Sequence, residues 1–402
     1  MGGHARLGGL GVAERARTMT SHSSSPTMRI LHAATLVSPD GSFGGPVRVS
    51  LNQAEVLRNL GHNVTLAAAE WGFAAPPTSA DGTPLVLRRA RRLVPRTGFA
   101  GICAPNLVGW LIRARDQFDV AHLHFARDLV MLPLAVTAAA LQIPFVLQPH
   151  GMVLPGSNRL APTLDRAVVT KLLCRAREVF YLTAAERDGL EAISGGRAHL
   201  THLPNGVPLY EEASNTRRVP EVLYLARLQS RKRPLDFVGA ALELNRRGVT
   251  ADYTLVGPDE GEGSRVRAAA APAGNVNWEG PVAAGQGPTR MARASVYVLP
   301  SLGPEPFPMA VLEAMSVGLP VVVTDQCGLA GLVRKYGCGI VVAPGCRNIA
   351  DAVHSLLAAP DTARMMGQRG RAAVRADLGM DCVGRRLEAS YRAAVNEPRL
   401  VA

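Results

Sequence analysis

The stretch GPEPFPMAVLEAMSVGLPVVVTD, residues 303–325, sets two glutamates, Glu305 and Glu313, eight positions apart across a Pro-Phe-Pro turn and the start of an apolar helix. Pro308 suits the first helical position, where its fixed φ is already helical and its missing N–H has no partner to lose. Eight helical residues advance about 12 Å at 1.5 Å per residue. That is comparable to the distance between the sugar hydroxyls and the ribose hydroxyls of a nucleotide-sugar, and each carboxylate can accept two hydrogen bonds from a vicinal diol. Between them, the unpaired N–H groups of the helix start suit a diphosphate. Taken alone, the pair also fits a capping acid followed by a solvated helix glutamate.

In YLARLQSRKRP, Arg227 ends a strand and Lys232 follows five residues later. That spacing puts two cations on one side of a loop, Arg to grip phosphate oxygens in pairs and Lys as a mobile point charge. The run Arg231-Lys232-Arg233 also fits a plain basic loop. Lysine is rare here, with Lys171, Lys232 and Lys335 the three among 44 cationic residues. DGSFGGPVRVSLNQA (40–54) reads as a Gly-rich turn before a helix, where Gly44 and Gly45 let backbone approach a phosphate or sugar. It is not the G-x-G-x-x-G dinucleotide fingerprint.

LQPHGM places His150 just after a strand, with Gly151 granting room. Such a histidine can hydrogen-bond a sugar hydroxyl or polarise a reacting group, and equally be a satisfied loop residue. HLPNGV (202–207) offers Asn205 and Gly206 for a tight turn. His122 and His124 alternate along a strand and share one side, as cleft-lining or structural groups rather than a metal pair. No D-x-D occurs in the chain, so the acid pair with which many sugar transferases hold Mn²⁺ or Mg²⁺ is missing. A leaving diphosphate would then be neutralised by Arg, Lys and helix N-termini.

The elements that must position these residues alternate. MRILHAATLV (28–37), HNVTLAAA (62–69), FDVAHLHF (118–125) and PFVLQPHG (144–151) read as buried strands, with amphipathic stretches such as PVRVSLNQAEVLRNLG (46–61) between them. The pattern restarts with EVLYLARL (221–228), DYTLVGP (252–258), VNWEGPV (276–282), ASVYVLPS (294–301) and PVVVTD (320–325). Two α/β halves with parallel sheets are implied, linked through YEEASNTRR (210–218). Ligands of such sheets bind beyond the carboxyl ends of the strands, so two facing sheets make an interdomain cleft. The apolar run 129–147 is divided by Pro133, Gln142 and Pro144 into a buried helix and strand rather than a membrane span.

The chain has 402 residues, room for two cores, and a formal charge of +12 that implies an anionic partner. Nucleic acid is disfavoured, since no aromatic-interleaved basic strand or recognition helix appears. The six cysteines are scattered without C-x-x-C, as in a reduced, cytosolic protein. Residues 1–27 read as a disordered extension, with Met19 and Met28 as alternative starts to Met1. LRRARRLVPRTGF (87–99) clusters Arg88, Arg89, Arg91, Arg92 and Arg96 among apolar residues. It reads as an exposed basic loop or helix, or as a contact for an anionic membrane surface.

In this order, Gly44-Gly45, His150-Gly151, Pro204-Asn205-Gly206-Val207, Arg227-x4-Lys232 and Glu305-x7-Glu313 resemble family 4 of the retaining glycosyltransferases, which have the GT-B fold of two Rossmann-like domains. The resemblance runs from about Met28 to Val395 and includes the tract 337–374. It implies an N-terminal acceptor domain over 28–208, a nucleotide-sugar domain over 219–380, and a helix at 381–395 crossing back to the first. Arg227 and Lys232 would bind the diphosphate, Glu313 the ribose and Glu305 the donor sugar. Gly44-Gly45 would close over the phosphates, and Asn205 would belong to the donor site. His150 would lie at the reacting side, making His150, Glu305, Arg227 and Lys232 the candidate catalytic residues. Many members have glycine where Pro308 stands; the proline removes one donor and leaves the amides of Phe307, Met309 and Ala310.

The expectation is a metal-independent retaining transferase, with no cofactor. It would move a sugar from a UDP- or GDP-linked donor to a hydroxyl acceptor, such as a lipid-linked or cell-surface glycan precursor. QPHGM and DVAHLHF look most like members making exopolysaccharide or cell-surface glycan. The expected setting is cytoplasmic, with the inner face of the cell membrane as a peripheral site. The alternatives are an epimerase or hydrolase of nucleotide-sugars on the same fold, and a non-catalytic GT-B protein that binds anionic membrane.

Overall fold

Two mainly parallel sheets organise the chain in the computed structural model, which describes residues 26–39, 44–94, 98–156, 161–213, 218–283, 285–303, 305 and 307–396. The expected N-terminal extension lies outside the described residues except for residues 26 and 27, as do Arg96 and residues 214–217 of the expected linker.

The first sheet orders its strands Leu200–His202, Glu178–Tyr181, Phe145–Leu147, Val120–Leu123, Arg29–Val37, Asn63–Glu70, Thr83–Arg89 and Ser79–Ala80. All neighbours are parallel except the last pair. Period-two alternation sends Leu31, Ala33, Ala121 and Leu123 to a core shared with Leu107 and Leu111 of the Pro105–Arg113 helix and with Met131 and Leu134 of the Met131–Ala140 helix. Ile30 and Val120 point the other way. There Ala54 and Leu57 of the Gly44–Asn59 helix and Val383, Leu387 and Tyr391 of the Met380–Asn396 helix cover them. The final helix of the described chain therefore lies on the first sheet. Its approach is close: a Cβ at Gly384 would sit 2.7 Å from Val56 Cγ2, and one at Gly206 only 2.6 Å from Met380 Sδ.

The second sheet runs Val276–Trp278, Asp252–Val256, Glu221–Leu225, Val296–Leu299, Val321–Thr324 and Gly339–Val342, parallel throughout. One face packs on Val311, Leu312 and Met315 of the Met309–Ser316 helix, the other on Phe237, Val238 and Leu244 of the Pro234–Arg246 helix. Residues at the start of the expected linker dock on this half: the Tyr210 N–H donates to Ser316 Oγ at 2.9 Å and the Ala213 N–H to the Val317 carbonyl at 2.7 Å. The architecture is the expected α/β pair of Rossmann-like halves.

Four local expectations change. Gly44 and Gly45 open the Gly44–Asn59 helix instead of forming a turn before it. Pro308 is the N-cap of its helix and not the first helical residue, with ψ 107, because the Val311 N–H closes the first turn on the Pro308 carbonyl at 3.1 Å. The basic stretch is neither loop nor helix at its start. Its Leu87–Arg89 end the Thr83–Arg89 strand, and Arg91–Arg92 pair with Ile102–Cys103, since the alternating TPLVLRR suits a sheet. Glu178–Tyr181, Leu200–His202 and Gly339–Val342 add short strands that too few residues announced. The apolar run 129–147 divides as expected into the Met131–Ala140 helix and the Phe145–Leu147 strand, and no described helix is long and apolar enough to cross a membrane.

Candidate active site

Lys232 and Glu305 meet. Lys232 ends the single turn Ser230–Lys232 after the Glu221–Leu225 strand, and its Nζ contacts Glu305 Oε1, both side chains being about nine-tenths buried. Glu305 is fixed through its backbone by a bridge to Cys327 and by its carbonyl, which accepts the Gly328 N–H at 3.0 Å. Its second oxygen, Oε2, is buried and has no hydrogen-bond partner among the described residues. Burial, and after it the guanidiniums of Arg231 and Arg227, lower the pKa of Lys232 to about 7, with Cys327 and Glu260 pulling the other way. Arg227 is half exposed and is held instead by Glu260, its Nη1 lying 2.8 Å from Oε1.

Glu313 sits on the Met309–Ser316 helix, whose opposite side is core. A Cβ on Gly287 would lie 3.5 Å from Glu313 Oε2, so the missing side chain keeps space beside that carboxylate. Burial raises the Glu313 pKa, opposed by the charge of Arg48 from the first half of the molecule. Arg48 also lies against Tyr210 and near Gly285, so the Gly44–Asn59 helix faces the second half across the cleft. Neither that helix nor Met309–Ser316 carries an acidic residue in its first turn, and no side chain caps Met309–Ser316. The positive ends of both dipoles are thus left for an anion. Phe307, Met309 and Ala310 are partly buried on the second core, with a Cβ at Gly45 meeting nothing within 4 Å.

His150 adopts φ 53, left-handed backbone that a residue with a side chain seldom takes. Two groups hold it there. The Gly151 N–H donates to Glu186 Oε1 at 2.5 Å, while Oε2 accepts the Leu182 N–H, and the His150 ring bonds His124. Asn205 is buried, with its side-chain oxygen accepting from Gln148 at 3.3 Å. The Gly206 beside it is needed for the close helix at Met380, not for a left-handed turn. His32, His122 and His124 are the described group whose ligand atoms come within 4.8 Å of one another, but those rings already bond among themselves and to Tyr391.

Sequence spacing missed Arg48, Glu186, His32 and Tyr391. Only His32 left a trace, on the same strand parity as Ile30 and opposite His122 in the register. Of the arginine cluster, Arg89, Arg91 and Arg92 are exposed, whereas Arg88 is half-buried and bonds the Leu87 carbonyl. Arg92 lies over the Trp71 ring at 5.7 Å, with Leu93 and Val94 exposed beside it in sequence. At the end of the Asn63–Glu70 strand, Glu70, Trp71, Phe73 and Arg89 line a groove of about 710 Å³.

Two family models divide the chain between them: "Glycosyltransferase Family 4" matches residues 43–211 and "Glycosyl transferases group 1" residues 211–373. The chain belongs to glycosyltransferase family 4. Among curated relatives, the D-inositol 3-phosphate glycosyltransferase of Nocardia farcinica is 31% identical over 278 residues, which is 65% of this chain and 58% of that one. The phosphatidyl-myo-inositol mannosyltransferase of Mycolicibacterium smegmatis is 28% identical over 70% of this chain and 72% of its own. The fold is shared with Anabaena HepE, solved with UDP and glucose, at TM-score 0.70 and 19% identity over 91% of this chain and 99% of that one. Sucrose-phosphate synthase from Thermosynechococcus elongatus gives TM-score 0.72 at 19% identity over 91% and 98%. Both likenesses make this a GT-B fold.

Proposed function

We propose that this family member is a retaining glycosyltransferase that moves a sugar from a UDP- or GDP-linked donor to a hydroxyl acceptor without a metal ion. The observation that carries the reading is the buried carboxylate of Glu305, one oxygen on Lys232 and the other without a partner among the described residues. Leaving a buried acceptor unpaired costs about 1–3 kcal/mol, and more when it is charged. Hydroxyl groups of a bound sugar would relieve that cost.

In this reading the diphosphate lies between the two helix starts, on the amides of Met309 and Ala310 and under Gly44 and Gly45. Lys232 and Arg227 neutralise it. Arg227 leaves Glu260 readily, since an exposed ion pair is worth about 0–1 kcal/mol. Glu313 takes the ribose diol and Glu305 the donor sugar, with His150 opposite. The bond from the anomeric carbon to the diphosphate oxygen breaks, the acceptor oxygen bonds that carbon on the same face, and the acceptor proton passes to the departing phosphate oxygen. The absence of D-x-D and the arginine and lysine groups around the cleft support charge neutralisation by the protein itself.

The groove at Trp71 and Arg89 would receive the acceptor. Exposed Arg89, Arg91 and Arg92 beside Trp71, Leu93 and Val94 suit an anionic membrane, and so a lipid-linked acceptor, in keeping with the phosphatidyl-inositol relatives. Vesicles of phosphatidylglycerol should retain the protein at low salt, and no retention would remove the membrane from the account. The donor site is tested by calorimetric titration with UDP and GDP. Glu313→Ala should weaken binding of the preferred nucleotide by about tenfold or more, as for a lost hydrogen bond to a charged group. Glu305→Ala should leave it near wild type. Equal affinity in wild type and Glu313→Ala would break the ribose assignment.

A further inference from the structure

Beneath His150 runs a line of buried rings that the transfer reaction does not by itself require. Tyr391, on the Met380–Asn396 helix, places its hydroxyl 2.5 Å from His122 Nδ1 and 3.2 Å from His32 Nε2. His32 Nδ1 is 3.3 Å from His124 Nε2, and His124 Nδ1 is 2.8 Å from His150 Nε2. His122 stacks on His124 with ring centroids 4.6 Å apart, and His124 on His150 at 5.1 Å. The His32, His122 and His124 side chains and Tyr391 are fully buried, while the residue His150, just beyond its strand, keeps some exposure.

We infer that Tyr391 is a positioning residue that fixes which ring nitrogen of His150 carries the proton, acting through His32 and His124. The proton count leaves little freedom. Burial lowers the pKa of all four histidines, so each ring is neutral and holds one N–H. Four rings and one phenol bring five protons to four hydrogen bonds, each of which takes one. The fifth must sit at an end of the chain, on His122 Nε2 or on His150 Nδ1.

The two bonds of Tyr391 choose between these ends. An O–H donor makes a shorter bond than an N–H donor, so the hydroxyl donates to His122 Nδ1 and accepts from His32 Nε2. His32 Nδ1 then accepts from His124 Nε2, and His124 Nδ1 accepts from His150 Nε2. The spare proton lies on His122 Nε2, which makes no hydrogen bond of good geometry but has the Gln148 amide beside it. His150 Nδ1 is left bare, a hydrogen-bond acceptor for a hydroxyl in the cleft. The helix that returns from the far end of the chain thereby determines whether His150 accepts or donates.

Tyr391→Phe keeps the ring and removes the hydroxyl. His32 Nε2–H then faces no acceptor, so His32 should shift its proton to Nδ1 and the bonds to His124 and His150 should reverse. Nitrogen-15 spectra of histidine-labelled protein, with the His150 signals assigned from His150→Gln, read this directly. The expected result is an Nε2–H tautomer in wild type and a predominantly Nδ1–H tautomer in Tyr391→Phe. His32→Phe breaks the same chain at its middle and should lose the fixed tautomer as well. An unchanged His150 tautomer in either folded variant overturns the inference. The role of His150 in transfer is a separate reading on which the kinetic consequence rests. If it holds, kcat in Tyr391→Phe falls by up to about tenfold, the size of one lost hydrogen bond to a cleft hydroxyl, while the donor KM stays near wild type. A reversed tautomer with unchanged kcat would uphold the chain and reject that role.

Discussion

Glu313 and Lys232 approach their titrations from opposite sides. Burial raises the Glu313 pKa, so on acidification it takes its proton at a higher pH than an ordinary glutamate. Burial and the arginines beside it lower Lys232, so it loses its proton at a lower pH than an ordinary lysine. Nucleotide affinity should therefore fall at both ends of the pH range, through the ribose contact on the acid side and the phosphate contact on the alkaline side. Titration of the preferred nucleotide from acid to alkaline pH checks this, and Glu313→Gln should flatten the acid limb alone. At this scale the sequence showed which groups matter more clearly than whom they meet. E-x7-E and R-x4-K were legible as spacing. The contact of Lys232 with Glu305 and the hold of Glu260 on Arg227 depend on loops brought together from separate strands, and no spacing encodes that.

Elements are where the sequence spoke most plainly. Buried parallel strands are continuous apolar runs, and nine of them stand out as such in the chain. Short strands that escaped, such as Leu200–His202, hold too few residues for a period to show, and the alternation of Thr83–Arg89 was masked by the arginines at its end. Gly44-Gly45 reads as a turn because paired glycines ordinarily weaken helices, yet the Gly44–Asn59 helix begins on them. Gly206 likewise reads as a turn residue when its actual demand is a helix passing close above. Gly206→Ala should overpack that contact against Met380 and Val383, destabilising the protein by about 1–3 kcal/mol. Thermal unfolding should show a lowered Tm, while calorimetry should show nucleotide affinity near wild type, since Arg227, Lys232 and Glu313 all belong to the half built on the other sheet. An unchanged Tm would mean that the Met380–Asn396 helix is not held as described.

At the scale of the molecule, the division of labour follows from two sheets whose strand ends face one cleft, with the charged groups on one side and the His150 turn on the other. The two halves were visible in the sequence as a strand–helix pattern that restarts near residue 221, but the return of the last helix to the first sheet was not visible from periodicity, because its partners, such as Ile30, Val120 and Phe180, lie far upstream in the chain. That return links the last helix, through Tyr391, His32 and His124, to the His150 turn. The central claim is sugar transfer with retention, and the direct measurement is product formation from UDP- and GDP-linked sugars with a hydroxyl acceptor, in the presence of a metal chelator, read by proton NMR at the anomeric position. The account predicts a glycosidic product with the donor's anomeric configuration from wild type and none from Glu305→Ala. An inverted product, or transfer that survives Glu305→Ala, would contradict it.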